Sequence, residues 1–199
     1  MFRRLTLAQL LIALFSWAAT ASTTSASLHH WHADFTAATG YARATTYDQA
    51  GARHATEWTQ SVLSTTLALQ NRKLFAGITL DSHVASPSLV KKTDPAPVHG
   101  TRFGNVSPTL GVDLGMFITK LDVQFLGDYE LSGLAGNAQN VIRYTDPLGA
   151  RLNVIYPFGT GRNVGIGLVA EYVVFQPEAG SSATVLPMWQ IAFALTAMR

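Results

Sequence analysis

The sequence contains no cysteine, so disulfide bonds cannot stabilise the protein and no cysteine-linked lipid can anchor it. Charged residues are scarce, at 13% of the chain, whereas apolar residues make up 48%. The apolar residues do not gather into long runs: after residue 18, no segment approaches the roughly 20 apolar residues that a membrane-spanning helix needs. The role of the apolar residues in the fold must therefore be inferred from their spacing along the chain.

Residues 1–21 have the pattern of a secretory signal peptide. A positive start that ends with Arg3 and Arg4 precedes an apolar run, and small residues follow at positions 19–21. We expect cleavage before Ser22, because the run is too short for an uncleaved anchor helix. Without Arg3 and Arg4, the numbers of Lys+Arg and Asp+Glu become equal, so the charge balance does not indicate a nucleic-acid partner. Residues 22–199 are predicted to form one domain.

The clearest pattern after the signal lies in residues 109–130, where apolar and polar residues alternate. Leu110, Val112 and Leu114 share one face of an extended chain, while threonine, glycine and aspartate occupy the other. The pattern breaks near residue 117 and then resumes, which predicts a β-hairpin with one apolar face and one face of charge and glycine. In a soluble sandwich the charged face would meet water, whereas in a membrane barrel it would line a polar lumen.

The same alternation recurs along the chain and predicts an all-β fold. Connections between the predicted strands alternate between long and short without exception, as in outer-membrane barrels with long external loops and short periplasmic turns. We therefore predict an eight-stranded antiparallel transmembrane up-and-down β-barrel, with both ends in the periplasm, rather than a soluble sandwich. The predicted strands are residues 30–41, 54–70, 74–83, a fourth that ends near residue 116, 119–131, 151–158, 163–175 and 186–198; the long connections are residues 42–52, 84–103, 132–149 and 176–184, with strand extensions allowed at residues 140–145.

Aromatic residues on the apolar faces fall at two levels of the predicted barrel. Trp31 and Tyr41 lie ten residues apart on one strand, which matches the spacing of the two aromatic girdles that flank an apolar band about 25 Å tall. The predicted girdle residues are Tyr41, Tyr129, Tyr172 and Trp189 at the outer rim and Trp31, Tyr156 and Phe158 at the inner rim.

These features resemble the small eight-stranded outer-membrane proteins of Gram-negative bacteria, the class of OmpX, OmpW and OmpA-type barrels. The resemblance is architectural and covers the whole mature chain. It implies a monomer in the cell outer membrane without a cofactor, in contact with lipid and lipopolysaccharide and inserted by the barrel assembly machinery. One departure is the end of the chain, Ala197-Met198-Arg199, where such barrels usually carry an aromatic residue; here the last outward aromatic is Phe193.

Charged residues are predicted inside the barrel. An eight-stranded barrel is only wide enough to be filled by its own side chains, so we expect a paired charge network that closes the lumen, with a narrow conduit for ions as the alternative. By strand parity, the predicted network comprises Asp34, Lys73, Asp81, Asp113, Lys120, Asp122, Asp128, Arg151 and Glu171.

Two further patterns suggest specific chemistry. His30, His32 and Asp34 share one strand face and could contribute to a metal site if a neighbouring strand supplied another ligand, but a solvated barrel mouth explains them as well. Basic residues of the predicted loop 84–103, among them Lys91 and Arg102, could contact lipopolysaccharide phosphates.

The enzymatic alternative is a lipid A-modifying barrel of the deacylase or acyltransferase type. Asp81, Ser82 and His83 lie at the correct rim and are the residue types that such chemistry uses. Strand parity opposes this reading, because it turns Ser82 to lipid and the other two side chains inward. We therefore expect a structural, surface-interaction or minor permeability role.

Overall fold

The computed structural model describes residues 29–47, 53–87, 99–132, 141–179 and 185–199, so the predicted signal peptide lies outside the described residues. No helix in this part of the chain is long and apolar enough to span a membrane. The strands are β1 (His29–Tyr47), β2 (Arg53–Asn71), β3 (Leu74–Pro87), β4 (His99–Asp113), β5 (Ile118–Gln124), β6 (Asp128–Ser132), β7 (Ile142–Phe158), β8 (Val164–Pro177) and β9 (Leu186–Met198).

All of these strands belong to one antiparallel sheet that closes on itself. Strands β5 and β6 both lie between β4 and β7, so together they act as one strand of an eight-membered ring. The ring is closed because β1 pairs with β9 and β3 pairs with β4. The predicted eight-stranded antiparallel barrel is therefore confirmed.

The strands are tilted and staggered around the barrel. A path that starts at Trp58 on β2 and steps at each strand to the directly paired residue on the next strand passes through Gln190 and Arg151. After one full turn it returns to β2 at Ala68, ten residues further along the same strand. A closed sheet with such a stagger requires strands that are tilted against the barrel axis. Residues that pair directly with one another thus form an inclined row on the inner wall.

The two faces of the sheet have the polarity expected of a barrel in lipid. Large apolar side chains point outward, with Phe193 at 77% exposure and Trp31 at 65%. Charged side chains point inward, and Arg151 and Lys120 are each 1% exposed. This arrangement is the reverse of a soluble protein, and so large an apolar surface requires an apolar environment.

The two ends of the barrel differ. At the turn end, short connections join β2 to β3, β4 to β5 and β7 to β8, and positive φ angles at Arg72, Gly115, Gly159 and Arg162 allow these tight turns. At the loop end, strands run further than the sequence predicted: β1 reaches Tyr47 and β4 already begins at His99. Beyond the apolar belt the outward face carries polar and charged residues while the inward face is apolar, so the alternation on which the prediction depended no longer holds.

A break at residues 125–127 reverses the parity between β5 and β6. Before it, Lys120 and Asp122 are buried; after it, Tyr129 and Leu131 are buried and Asp128 is exposed. The predictions of Tyr129 as an outer girdle residue and of Asp128 as a lumen residue were therefore wrong. Alternation with period two predicts the direction of each side chain only within a continuous strand. Because residues 125–127 interrupt the strand, the residues after them point to the opposite face from the one predicted.

Gly127 makes this break possible. Its φ of 139° is one that L side chains rarely adopt, and an added Cβ would collide with the Asn105 side chain. We expect Gly127→Ala to lower the free energy of unfolding by about 1–3 kcal/mol, because it adds both backbone strain and a clash. Reversible urea unfolding of the barrel in lipid vesicles measures this loss.

Gly115 provides the matched control, since its φ of 86° is also positive but a Cβ there would meet nothing within 4 Å. Gly115→Ala should therefore cost clearly less than Gly127→Ala. Equal losses of unfolding free energy in the two variants would mean that the collision between the added Cβ and Asn105 contributes nothing.

Candidate functional site: the charged interior

A first cluster of buried charges lies towards the turn end of the barrel. Lys120 on β5 reaches Asp34 on β1, with its Nζ 2.7 and 2.8 Å from the two carboxylate oxygens, and also donates a hydrogen bond to Thr66 at 2.8 Å. His32 Nε2 lies 3.2 Å from Asp34 Oδ2. Because β1 and β5 are not neighbours in the ring, this ion pair crosses the interior.

A second cluster surrounds Arg151 on β7. Its Nε donates to Asp122 Oδ2 at 2.9 Å, and its guanidinium lies 2.9 Å from Asp81 Oδ2 on β3. The other oxygen of Asp81 accepts a hydrogen bond from Asn105 at 2.7 Å and lies 3.1 Å from His83 Nε2. Asp122 also accepts hydrogen bonds from Thr79, Thr109 and Asn153. Every charge in this cluster is thus supported from more than one strand.

The second cluster continues along one inclined row of paired residues. Thr109, Asp122, Arg151, Glu171 and Gln190 are direct neighbours on β4, β5, β7, β8 and β9. Each occupies an inward position of its strand, and each is buried. We call this row the polar ladder. Of its neutral members, Thr109 was predicted on the polar face of its strand, whereas Gln190 was not singled out, although strand parity places it inside, between Met188 and Ala192.

Apolar clusters lie on both sides of these charges. At the loop end, buried residues of most strands pack together, and Trp58 and Tyr129 donate hydrogen bonds to Gln60 Oε1 at 2.5 and 2.8 Å. At the turn end, His32 stacks on Phe75 with ring centroids 4.4 Å apart. The loop-end cluster comprises Ala42, Ala44, Trp58, Ala85, Tyr129, Leu131, Tyr144, Val173, Phe175, Leu186 and Met188, and the turn-end cluster comprises Ala68, Phe75, Ile118 and Ile155.

Of the charges predicted inside, Asp34, Asp81, Lys120, Asp122, Arg151 and Glu171 are buried in the interior. Lys73 and Asp128 are exposed, and Asp113 lies at the turn end. The prediction was wrong for Lys73 because it belongs to the turn between β2 and β3, where strand parity no longer applies.

Asp113 ties two turns together instead of entering the lumen. Both of its carboxylate oxygens accept hydrogen bonds from Arg162, each at 3.0 Å, and one also accepts the Gly115 amide at 2.8 Å. Burial acts to raise the pKa of the Asp113 carboxyl, but these hydrogen bonds outweigh it and hold the pKa below its ordinary value. The pair joins the β4–β5 turn to the β7–β8 turn.

The structure does not assemble the suggested metal site. His30 is exposed, whereas His32 and Asp34 are buried and engaged with Phe75 and Lys120. Within residues 29–47, 53–87, 99–132, 141–179 and 185–199, no group of three or more His, Cys, Asp or Glu could hold a metal ion.

The suggested catalytic residues are also separated. Asp81 and His83 are buried in the interior, while Ser82 lies between them on a strand whose side chains alternate in direction. The register shift between β3 and β4 at this level places its extra residue on β4, so Ser82 keeps its outward direction. The geometry therefore brings Asp81 and His83 together without the hydroxyl.

The remaining girdle residues lie on the outer surface. Tyr41 and Trp189 are in contact, with ring centroids 5.3 Å apart, and Tyr172 is exposed beside Trp189 on the neighbouring strand. Near the turn end, Trp31, Tyr156 and Phe158 are exposed, and Tyr156 contacts Phe117.

No protein family model and no curated protein matches the chain. Among solved structures, it is similar to Neisserial surface protein A, with a TM-score of 0.53 and 11% identity over 86% of this chain and 99% of that one. It is also similar to the outer membrane protein OprG from Pseudomonas aeruginosa, with a TM-score of 0.43 and 10% identity over 85% and 97% of the two chains. A third similar structure is Ail of Yersinia pestis, with a TM-score of 0.39 and 14% identity over 82% and 98%.

The first of these comparisons establishes the class of fold. The chain has the fold of the small outer-membrane β-barrels, and the resemblance inferred from the sequence is confirmed. The comparison agrees with the predicted outer-membrane location, as does the apolar outer surface.

Proposed function

We propose that this chain is an outer-membrane protein whose lumen is closed by its own side chains and whose role is structural or surface-interacting. The observation that carries the proposal is that ion pairs cross the interior: Lys120 reaches Asp34, and Arg151 reaches Asp81. Large apolar clusters lie on both sides of these pairs. An eight-stranded barrel filled in this way leaves no room for a solute path.

The loop end supplies the surface for interaction. Strands β1 and β2 extend there as a paired ribbon, and outward charges form the pairs Arg43–Glu57 and Glu130–Arg143. With the short turns in the periplasm, this end faces the outside and its basic groups lie close to lipopolysaccharide phosphates. We further propose a monomer inserted by the barrel assembly machinery. A lipid A-modifying activity has less support, because Asp81 and His83 face the interior and Ser82 does not.

Conductance in planar bilayers tests the closed lumen. We expect refolded protein, whose insertion is verified by a heat-dependent shift on a gel, to give no stepwise conductance above the bare bilayer. A large-pore porin inserted by the same procedure is the positive control. Reproducible cation-selective steps would contradict the closed lumen and favour the conduit.

A further inference from the structure

The barrel wall is irregular at one level on three successive strands. The pairing of β4 with β5 ends at Asp122, and its pairing with β6 begins only at Asp128. The pairing with β7 is interrupted between Gln124 and Tyr129. At the same level β4 carries one residue more than β3, and β7 carries one residue more than β8. We call these positions together the break line, which comprises residues 102–105, 125–127 and 145–148.

The backbone along the break line is shaped for bending. Strand β7 reverses its side-chain direction there, as the segment between β5 and β6 does: Arg151 and Tyr144 are both buried although they lie an odd number of residues apart. Gly127 and Asp146 have positive φ angles of 139° and 45°. Because bulges and unusual φ angles bend strands, the wall has a natural hinge at this line.

Beyond the break line, the ends of three strands form a small unit that we call the loop-end panel, residues 99–103, 128–132 and 142–145. The panel is well connected internally, because β4 pairs with the whole of β6, and Arg143 pairs with Glu130 at 2.7 Å. Its borders are short. Among the described residues, it pairs with residues 83–85 of β3 on one side and with residues 176–177 of β8 on the other, where the Glu178 amide also donates to the Arg143 carbonyl at 3.0 Å.

The loop-end panel carries aromatic side chains that cover the interior. Tyr129, Leu131 and Tyr144 are buried members of the loop-end apolar cluster. Tyr129 donates a hydrogen bond to Gln60 on β2 at 2.8 Å. Both tyrosines also lie against Phe175 on β8, with ring centroids 5.1 and 6.4 Å apart. Displacement of the panel therefore removes part of the apolar cover from the loop end of the barrel.

We propose that the loop-end panel is a hinged lid, which swings at the break line as one unit and transiently uncovers the polar interior. Asn105 and Ser107, at and just below the line on β4, are fully buried and are the first polar side chains that it uncovers. Stability is not uniform across a fold, and a segment held at short borders opens at lower cost than a continuous wall. This inference rests on the proposed closed lumen. Conductance steps in the bilayer would contradict that closure, whereas hydrogen exchange reports the motion of the panel whether or not the lumen conducts.

Amide hydrogen exchange of the refolded chain in lipid nanodiscs tests the lid. After correction for intrinsic rates, we expect residues 128–132 and 142–144 to exchange as one group, about tenfold or more faster than residues 42–44 and 56–58. The latter are the matched control, because they contribute to the same loop-end cluster but lie in the continuous pairing of β1 with β2. Exchange of the panel at the rate of the control, or at unrelated rates from residue to residue, would overturn the proposal.

A disulfide bond across one border of the panel tests the hinge. Thr145 and Gln176 are directly paired on β7 and β8, and the chain has no cysteine of its own, so Thr145→Cys with Gln176→Cys can form one defined bond. Because the lid cannot swing while a border is tied, the oxidised variant should exchange its panel amides about tenfold or more slowly than the reduced one. Val154→Cys with Leu168→Cys, paired on the same two strands in the continuous wall, should leave the panel unchanged. Panel exchange that ignores the first bond, or that both bonds slow equally, would contradict the lid.

Discussion

Replacing Arg151 with Met should lower the free energy of unfolding by about 3–5 kcal/mol, because it removes the cation and leaves the buried carboxylates around it uncompensated. Arg151 is 1% exposed and lies 2.9 Å from both Asp122, on the neighbouring strand β5, and Asp81, on β3 further around the ring. Met keeps most of the length of the side chain, so the loss reports charge rather than a cavity. Urea unfolding of the barrel in lipid vesicles measures it.

Arg143→Met is the matched control. Arg143 lies on the same strand and pairs with Glu130 at 2.7 Å, but its side chain is 64% exposed. Exposed pairs of this kind contribute about 0–1 kcal/mol, so the control should differ little from the wild type. Equal effects of the two substitutions would contradict the buried network.

A compensating variant separates charge from simple misfolding. In the triple variant Asp81→Asn, Asp122→Asn and Arg151→Met, the cluster around Arg151 loses two negative charges together with the guanidinium. Much of the stability lost in Arg151→Met should return, because replacing a whole buried ion network with neutral groups is far less costly than removing one partner. No recovery would mean that Arg151 acts through its shape.

The sequence contained enough information to predict the barrel but not the contacts within it. Alternation with period two placed Asp34, Lys120 and Arg151 on the inner face, since each lies in an unbroken strand that has lipid on its other side. It could not show that Lys120 reaches Asp34 across the ring, because this pairing depends on the stagger of the sheet. The stagger is set by every pair of neighbouring strands together.

The errors also have a physical pattern. Tyr129 and Asp128 exchanged faces because residues 125–127 leave the strand, and Gly127 was the local sign of that break. Lys73 was misplaced because it lies in a turn. Parity is thus reliable only between breaks, and Gly127, inside the predicted strand 119–131, stands at the point where parity had to be counted anew.

The second large effect concerns the outer surface. Leu168 lies on β8 midway between Val164, at the turn end, and Tyr172 of the outer girdle; it is paired with Val154 and Phe193 on its neighbours and is 50% exposed. If this surface faces lipid, Leu168→Arg should cost about 2–4 kcal/mol, because it places a charge near the bilayer midplane. Unfolding in vesicles measures the cost, and the amount of folded protein in the outer-membrane fraction should fall with it.

Leu114 supplies the matched control, since it is also an exposed leucine, at 60%, and lies in the turn between β4 and β5. Near the membrane interface an arginine costs only about 0–1 kcal/mol, so Leu114→Arg should be tolerated. A barrel in water would make no such distinction, because both substitutions would lie on solvated surface and each would change the stability by no more than about 0.5 kcal/mol. The difference between the two leucines therefore tests the membrane environment itself, independently of the charged interior.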